Sequence, residues 1–204
     1  MSQNIGKIFY INLDKRQDRR EEIETELTNY ELMHNAERIE AILTPTQGIL
    51  GCTMSHLKAL KLAKERNYEN VLILEDDFQF TISKEEFENQ LTTLFEQGPS
   101  FQVCMISFNI QRAEPTQYPF LQKVLEAQTA SGYSVNKSFY DNIIELYEWA
   151  IPLLENTREH WNYANDQCWK RLQPTADWYA FTTRCGRQRP GYSDNSEQFE
   201  DHDC

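Results

Sequence analysis

Three consecutive carboxylates, Glu75, Asp76 and Asp77, stand directly after the apolar run VLIL at residues 71–74. Like charges this close disfavour one another unless a cation or hydrogen bonds compensate them. If strand geometry continues through the triplet, Glu75 and Asp77 point to one side, where they can share one hard cation, and Asp76 points to the other. Carboxylate oxygens favour Mg²⁺ or Mn²⁺. On its own, the triplet is equally compatible with a solvated acidic turn or a helix cap.

A cation bound there could stabilise a phosphate leaving group. By bridging the two phosphates of a nucleotide sugar, it would neutralise the charge that builds as the glycosidic bond breaks. Arg16, Arg19 and Arg20 follow the first apolar segment, where a doubly wound sheet would place phosphates, and guanidinium groups suit phosphate oxygens. The alternative reading of these arginines is the solvated face of a charged helix.

Other candidate site residues lie in three further segments. Asp166, in NYANDQCW, begins a predicted short helix, where it is either a general base for an acceptor hydroxyl or a helix cap. Ser55 and His56 belong to the helix that precedes the acidic run and can reach the same cleft, although a single histidine is often structural. Gly132 and Tyr133 predict a loop with close backbone approach and a surface on which a sugar or base can stack.

The elements that must position these residues alternate between strand and helix. Apolar runs predict strands at 5–13, 71–74 and 101–108, and the spacing of apolar residues predicts a helix over 53–66 that begins with Thr53 as its N-cap. This alternation is typical of an α/β, doubly wound fold with a mostly parallel central sheet. Ligands of such sheets gather at the carboxyl ends of the strands, which is where the acidic triplet falls.

Composition limits the classes of function. The 204 residues are enough for one domain, and a net charge of -12 argues against nucleic acid and anionic membranes as partners. The apolar runs are too short for an integral membrane segment, and the first twenty residues do not have the pattern of a signal peptide. The five cysteines form no CxxC pair, which favours a reducing compartment. We therefore expect a cytoplasmic protein.

Taken together and in order, several segments resemble glycosyltransferase family 25, the lipooligosaccharide and procollagen galactosyltransferase-like enzymes. The segments that carry the resemblance are IFYINLDKRQDRR, GCTMSHLKAL, VLILEDDF, ASGYSVNK, NDQCW and QRPGYSDNS. The resemblance implies a single GT-A type, Rossmann-like domain and a UDP-sugar donor, commonly of galactose or glucose. It also implies a manganese-like metal, a glycan or other hydroxyl acceptor, and inversion at the anomeric carbon.

The resemblance also assigns roles to individual residues. The catalytic carboxylates would be Asp166, as general base, and Asp76. The metal ligands would be Glu75, Asp77 and a late histidine, for which His202 is the candidate. The donor-binding residues, carried over or taken from the segments above, are Asn12, Leu13, Arg16, Arg19, Ser55, His56, Gly132 and Tyr133.

Two further expectations concern domain organisation and biological role. Residues 1–186 would form the transferase domain, and the polar segment 187–204 a loop that closes over a ligand, followed by disorder. An enzyme that builds surface glycans, such as lipopolysaccharide, fits the sequence better than a secretory collagen-modifying enzyme. The competing readings are a catalytically silent nucleotide-sugar-binding module and a metal-dependent phosphohydrolase.

Overall fold

The computed structural model describes residues 5–193 and 198–201. Its strands, in chain order, are β1 (Lys7–Asn12), β2 (Ala36–Glu40), β3 (Asn70–Glu75), β4 (Phe78–Phe80), β5 (Val103–Met105), β6 (Asn109–Pro115), β7 (Leu121–Gln128), β8 (Gly132–Asn136), β9 (Trp178–Phe181), β10 (Gly186–Gln188), β11 (Gly191–Ser193) and β12 (Gln198–Glu200). Its α-helices are α1 (Gln17–Asn29), α2 (Gly48–Glu65), α3 (Lys84–Gln97), α4 (Tyr140–Thr157), α5 (His160–Tyr163) and α6 (Asn165–Cys168).

Within the described residues, eight strands form one central sheet in the order β2-β1-β3-β8-β5-β9-β7-β6. Parallel pairing joins β1 to β2 and to β3, and β5 to β9, whereas β8 and β7 are antiparallel to their neighbours. Six of the eight strands therefore run in one direction, and only β7 and β8 oppose them. This confirms the predicted α/β fold with a mostly parallel sheet.

Helices cover both faces of the sheet, which produces three layers. On one face, α2 and α4 pack together, and their buried residues, such as Leu60 and Tyr147, share a core cluster with Phe9 of β1. On the other face, α1 and α3 contribute Ile23 and Phe87 to a second cluster. The sheet is thus buried on both sides, as expected for strands with continuous apolar runs. Among the described helices, none is long and apolar enough to cross a membrane.

The central strand β3 explains why the acidic triplet lies where it does. Residues 70–74 are buried, because β1 and β8 flank the strand and helices cover both of its faces. Burial ends at Glu75, the last residue of β3, which is partly exposed. The change from apolar to acidic residues therefore coincides with the edge of the sheet.

Two predicted element boundaries are wrong. Helix α2 begins at Gly48 rather than at Thr53, and the Thr53 hydroxyl donates to Ile49 O at 3.0 Å, inside the helix. The strand predicted over 101–108 is shorter, and only Val103–Met105 form β5. The amides of Ile106 and Ser107 both donate to the Gly132 carbonyl, so regular pairing with β8 ends there.

The C-terminal part of the chain returns to the acidic turn. Strand β10 pairs antiparallel with β4, which follows the triplet directly, and β11 pairs with β12 in a short hairpin. Strand β10 crosses the predicted division between residues 186 and 187. That division and the closing role of the segment after it stay predictions.

Candidate active site

The acidic triplet lies at the carboxyl end of β3, beside the carboxyl end of β1. Strand β3 ends at Glu75, and Asp76 and Asp77 form a turn that leads into β4. The premise that strand alternation continues through the triplet is therefore wrong, because the chain turns to enter β4. Arg19 Nη1 donates to both Asp76 Oδ1, at 3.1 Å, and Asp77 Oδ2, at 3.0 Å.

Glu75 is held by a buried histidine. His56 Nε2 lies 3.0 Å from Glu75 Oε1, and His56 Nδ1 lies 2.8 Å from the hydroxyl of Tyr133. Burial opposes ionisation of Glu75, but the hydrogen bond with His56 and the charge of that ring outweigh it and lower the pKa of Glu75. Glu75 is thus an ionised carboxylate in a fixed orientation.

Asp76 is bound from two sides. Asn12, the last residue of β1, donates from Nδ2 to Asp76 Oδ2 at 2.8 Å, and Arg19 pairs with the other oxygen. Burial raises the pKa of Asp76, partly offset by the charge of Arg19 and the amide of Asn12. Arg38 Nε donates in turn to Asn12 Oδ1 at 3.0 Å. Asp76 therefore fixes the ends of β1 and β3 and the start of α1 relative to one another.

Asp77 has the most perturbed carboxylate of the triplet. Burial and the negative charge of Glu75 raise the pKa of Asp77 to about 7, despite the opposing charge of Arg19. Among the described residues, Asp77 Oδ1 is a buried oxygen without a hydrogen-bond partner. A buried acceptor of this kind next to a second carboxylate is suited to a bound cation.

Three residues that sequence reasoning missed complete the centre. The Cys52 thiol lies 3.7 Å from Glu75 Oε1 and stands one helical turn before His56, a spacing of four residues that a search for paired ligands on α2 could have found. Gln188 Nε2 lies 3.5 Å from Glu75 Oε2, and the Arg189 amide donates to Asp77 O at 2.6 Å. No local signal relates these last two residues to a triplet more than a hundred positions earlier in the chain.

Asp166 lies at the start of α6 and belongs to the same region. Its Oδ2 accepts from the Thr129 amide at 3.1 Å, and Thr129 has a positive φ of 79°. Burial raises the pKa of Asp166, and the charge of Glu75 adds to the increase. Burial and then the charges of Glu75 and Asp166 likewise raise the pKa of the Cys52 thiol. Asp166 and Glu75 therefore act on a common space beside Cys52.

A cavity of about 550 Å³ opens beside this centre, at the carboxyl ends of β1 and β2. It is lined by Leu13, Asp14, Lys15, Glu40, Ala41, Ile42, Leu43 and Lys58. Leu13 thus faces a space large enough for a nucleoside. Arg16 closes the turn after β1, since its amide donates to Leu13 O at 2.9 Å and its guanidinium pairs with Asp18 at 2.8 Å.

Ser55 is buried and bonded to the backbone. Its hydroxyl donates to Gly51 O at 2.6 Å and accepts from the Ile42 amide at 2.8 Å. Ile42 lines the cavity, so Ser55 acts on that cavity by holding the loop after β2. Direct contact between Ser55 and a donor stays a prediction.

The predicted stacking loop at Gly132 and Tyr133 is wrong, because both residues belong to the buried strand β8. A Cβ at Gly132 would lie 2.7 Å from Phe78 Cε2 and 2.9 Å from Ile106 Cγ1, so the glycine is required for packing. The ring of Tyr133 is fully buried and bonded to His56. Neither residue offers a surface to a sugar or base.

The structure thus brings most of the predicted residues together. Asn12, Arg19, Asp76 and Asp77 form one hydrogen-bonded and ion-paired group. Glu75, which His56 holds, is close enough for its charge to raise the pKa of Asp77. His202, the predicted third metal ligand, lies outside the described residues.

An α/β fold with an acidic turn at the end of its central strand, and with an arginine of the first helix paired to that turn, is a GT-A type scaffold. The sequence profile of "Glycosyltransferase family 25 (LPS biosynthesis protein)" matches residues 43–157, more than half of the chain. The chain belongs to glycosyltransferase family 25.

Individual proteins and solved structures are also similar to this chain. The chain is 32% identical over 118 residues to procollagen galactosyltransferase 1-B of Xenopus laevis, an alignment that spans 45% of this chain and 18% of that protein. The fold resembles the crystal structure of a glycosyltransferase involved in the glycosylation of the major capsid of PBCV-1, with a TM-score of 0.56, 14% identity and coverage of 94% and 95% of the two chains. It also resembles A197 from STIV, with a TM-score of 0.50, 11% identity and coverage of 97% and 96%.

Proposed function

We propose that the chain is an inverting glycosyltransferase that moves a hexose, galactose or glucose, from a UDP-sugar to a glycan or other hydroxyl acceptor. The observation that carries this proposal is the meeting of three carboxylates of different environment, Glu75, Asp77 and Asp166, at one sheet edge next to a nucleoside-sized cavity. Pairs of carboxylates with different pKa values suit different roles in one reaction. Family membership supports the reaction class.

A divalent cation, Mn²⁺ or Mg²⁺, fits the residues present. Glu75 is ionised, and Asp77 has a buried oxygen for which the described residues supply no partner, so these two residues would hold the ion. When bound, the ion would supply charge neutralisation for the leaving diphosphate. Asp76, a catalytic candidate from the sequence, instead contributes by fixing Asn12 and Arg19.

On the donor side, the protein would bind the nucleoside in the cavity lined by Leu13, Ile42 and Lys58. Arg19 lies at the start of α1 and is already bonded to Asp76 and Asp77, so its guanidinium is close to where a diphosphate would meet these carboxylates. A guanidinium in this place would orient phosphate oxygens and offset their charge.

On the acceptor side, Asp166 would be the general base. Its carboxylate is largely buried, and one of its oxygens is fixed by the Thr129 amide. The other oxygen accepts from Gln167 Nε2 at 3.3 Å, a long contact that an acceptor hydroxyl would replace when it gives up its proton. Because burial raises the pKa of Asp166, its ionised form is a stronger base than an exposed aspartate. A base opposite the leaving group is the arrangement that inversion requires.

The experiment that tests this proposal is calorimetric titration of the purified protein with UDP-galactose, UDP-glucose, UDP and GDP-mannose. Each titration is run with Mn²⁺ and again with the metal chelated. We expect metal-dependent binding of UDP and of one UDP-sugar. Transfer to simple hydroxyl acceptors is then followed by NMR, and the anomeric configuration of the product should be opposite to that of the donor.

Other outcomes would identify the competing functions. Binding of UDP-sugars without transfer to any acceptor would favour a catalytically silent binding module. Hydrolysis of p-nitrophenyl phosphate with no binding of UDP would favour a phosphohydrolase. Retention of the donor configuration would contradict the role of Asp166 as a base in direct displacement.

A further inference from the structure

A second cluster of potential metal ligands lies on the side of Glu75 that faces α2. Cys52 and His56 are one helical turn apart on α2, and their side chains meet the last residue of β3. The ligand atoms of Cys52, His56 and Glu75 all lie within 4.8 Å of one another. This group differs from the Glu75 and Asp77 pair in containing sulfur and nitrogen.

The spacing of these atoms is close to that of tetrahedral coordination. Zinc bonds of about 2.0–2.3 Å place neighbouring ligand atoms about 3.3–3.8 Å apart at the corners of a tetrahedron. The observed separations are 3.0 Å from His56 Nε2 to Glu75 Oε1 and 3.7 Å from Cys52 Sγ to Glu75 Oε1. Small movements of the three side chains are therefore enough to enclose an ion.

The histidine is already supported as a metal-binding histidine must be. His56 is fully buried, and its Nδ1 lies 2.8 Å from the Tyr133 hydroxyl. Without a metal, Nε2 faces the Glu75 carboxylate as a donor; a bound ion would take the place of that proton, while the proton on Nδ1 stays directed at the Tyr133 hydroxyl. Cys52 and Glu75 are both partly exposed, so solvent can deliver an ion and fill a fourth position.

We propose that Cys52, His56 and Glu75 form a binding site for a borderline-soft divalent cation such as Zn²⁺, distinct from the hard-cation position at Glu75 and Asp77. Thiolate and imidazole ligands select such ions over Mg²⁺ and Mn²⁺. Binding replaces the S–H bond of Cys52 and the N–H bond at His56 Nε2 by bonds to the metal, and both protons are released to solvent. The site stands on the geometry of the three side chains and does not require the proposed transferase activity.

Titration of the metal-free protein with Co²⁺ tests this site, because cobalt bound to a thiolate gives a near-ultraviolet charge-transfer band. We expect one Co²⁺ per chain to produce this band, and Zn²⁺ to abolish it by displacement. Cys52→Ser should remove the band. Cys185→Ser is the matched control, since Cys185 is buried elsewhere and a serine can keep its contact with Gln90.

A second variant tests the supporting histidine contact. Tyr133→Phe removes the hydroxyl that fixes His56, and loss of such an outer contact typically weakens metal binding by about 10–100-fold. Three results would overturn the proposal: no charge-transfer band in the wild-type protein, a band that persists in Cys52→Ser, or equal loss of the band in Cys185→Ser. The wild-type spectrum decides the question even if a variant fails to fold.

Discussion

The guanidinium of Arg19 lies 3.0 Å from Asp77, so the first helix of the chain supplies a cation to the acidic turn at the end of the central strand. The same nitrogen also contacts Asp76 at 3.1 Å. Both sides of this contact are largely buried, with side-chain exposures of 15% for Arg19 and 15% for Asp77. Arg19 therefore has a role in stability as well as a proposed role in donor binding.

Replacement of Arg19 by Gln should destabilise the protein, because Asp76 and Asp77 would lose their shared cation. Removal of one partner of a buried pair costs about 3–5 kcal/mol. Urea unfolding in chelator measures this cost, and added Mn²⁺ should restore part of the stability. Arg20→Gln is the control on the same helix, since Arg20 pairs with Glu24 at side-chain exposures of 38% and 30%, about twice those of the Arg19 pair. Equal losses in the two variants would contradict the buried role of Arg19.

Asp77 should make the metal-free protein less stable as the pH rises. Its pKa is raised from an ordinary value of 3.8 to about 7, so between these values the folded protein binds a proton that the unfolded chain has released. The stability that this bound proton contributes to the folded protein is lost as the pH rises toward 7. The free energy of unfolding of Asp77→Asn, relative to wild type, should therefore increase from about pH 5 to about pH 8.

The measurement for Asp77 is thermal or urea unfolding of both proteins across this pH range. Asp141→Asn provides the control, because Asp141 lies in an exposed pair with Lys64. A difference between Asp77→Asn and wild type that does not change with pH would show that the Asp77 carboxylate is ionised throughout.

Asp166→Asn should abolish transfer but preserve donor binding. Loss of a general base lowers the rate by about 10²–10⁴-fold. The asparagine oxygen can still accept from the Thr129 amide, so the strained backbone there should be retained. Single-turnover rates and calorimetric affinity for the UDP-sugar separate the two effects. A weakened affinity with an unchanged rate would place Asp166 in donor binding instead.

Gly132→Ala should destabilise the core, because Gly132 is a packing residue and not a ligand-binding one. The added Cβ would lie 2.7 Å from Phe78 Cε2, and overpacking of this kind costs about 1–3 kcal/mol. Gly191→Ala is the matched control, because a Cβ there would have Arg189 O as its nearest neighbour at 3.9 Å. Chemical denaturation compares the two variants. An equally stable Gly132→Ala would show that Phe78 can move aside at little cost.

Sequence patterns could predict the elements that depend on local signals. The apolar run before Glu75 identified a central strand and the edge at which it ends. The position of Asn12 at the end of β1, and of Arg19 beyond it, was also predictable, because parallel strands place their carboxyl ends together. The start of a short helix made Asp166 a candidate base or cap, and the family resemblance supported the base, although no local rule relates that residue to the triplet.

Residues that depend on distant contacts could not be predicted. Gly132 and Tyr133 have the composition of a loop, but the pairing of β8 between β3 and β5 makes them core residues. Thr53 has the composition of an N-cap, yet α2 extends back to Gly48, and the Thr53 hydroxyl accepts from the Asn165 amide at 3.2 Å. In both cases tertiary packing overrides a local preference.

The bond between Arg189 and Glu26 joins residues 163 positions apart, and the Arg189 amide also binds the acidic turn. Contacts so distant in sequence form late, because a long loop must close before they can contribute. The acidic turn therefore gains its full set of contacts only when β10, more than a hundred residues later in the chain, has paired with β4. A chain that lacked β10 would keep all three carboxylates but would lose the contacts of Gln188 and Arg189 with Glu75 and Asp77.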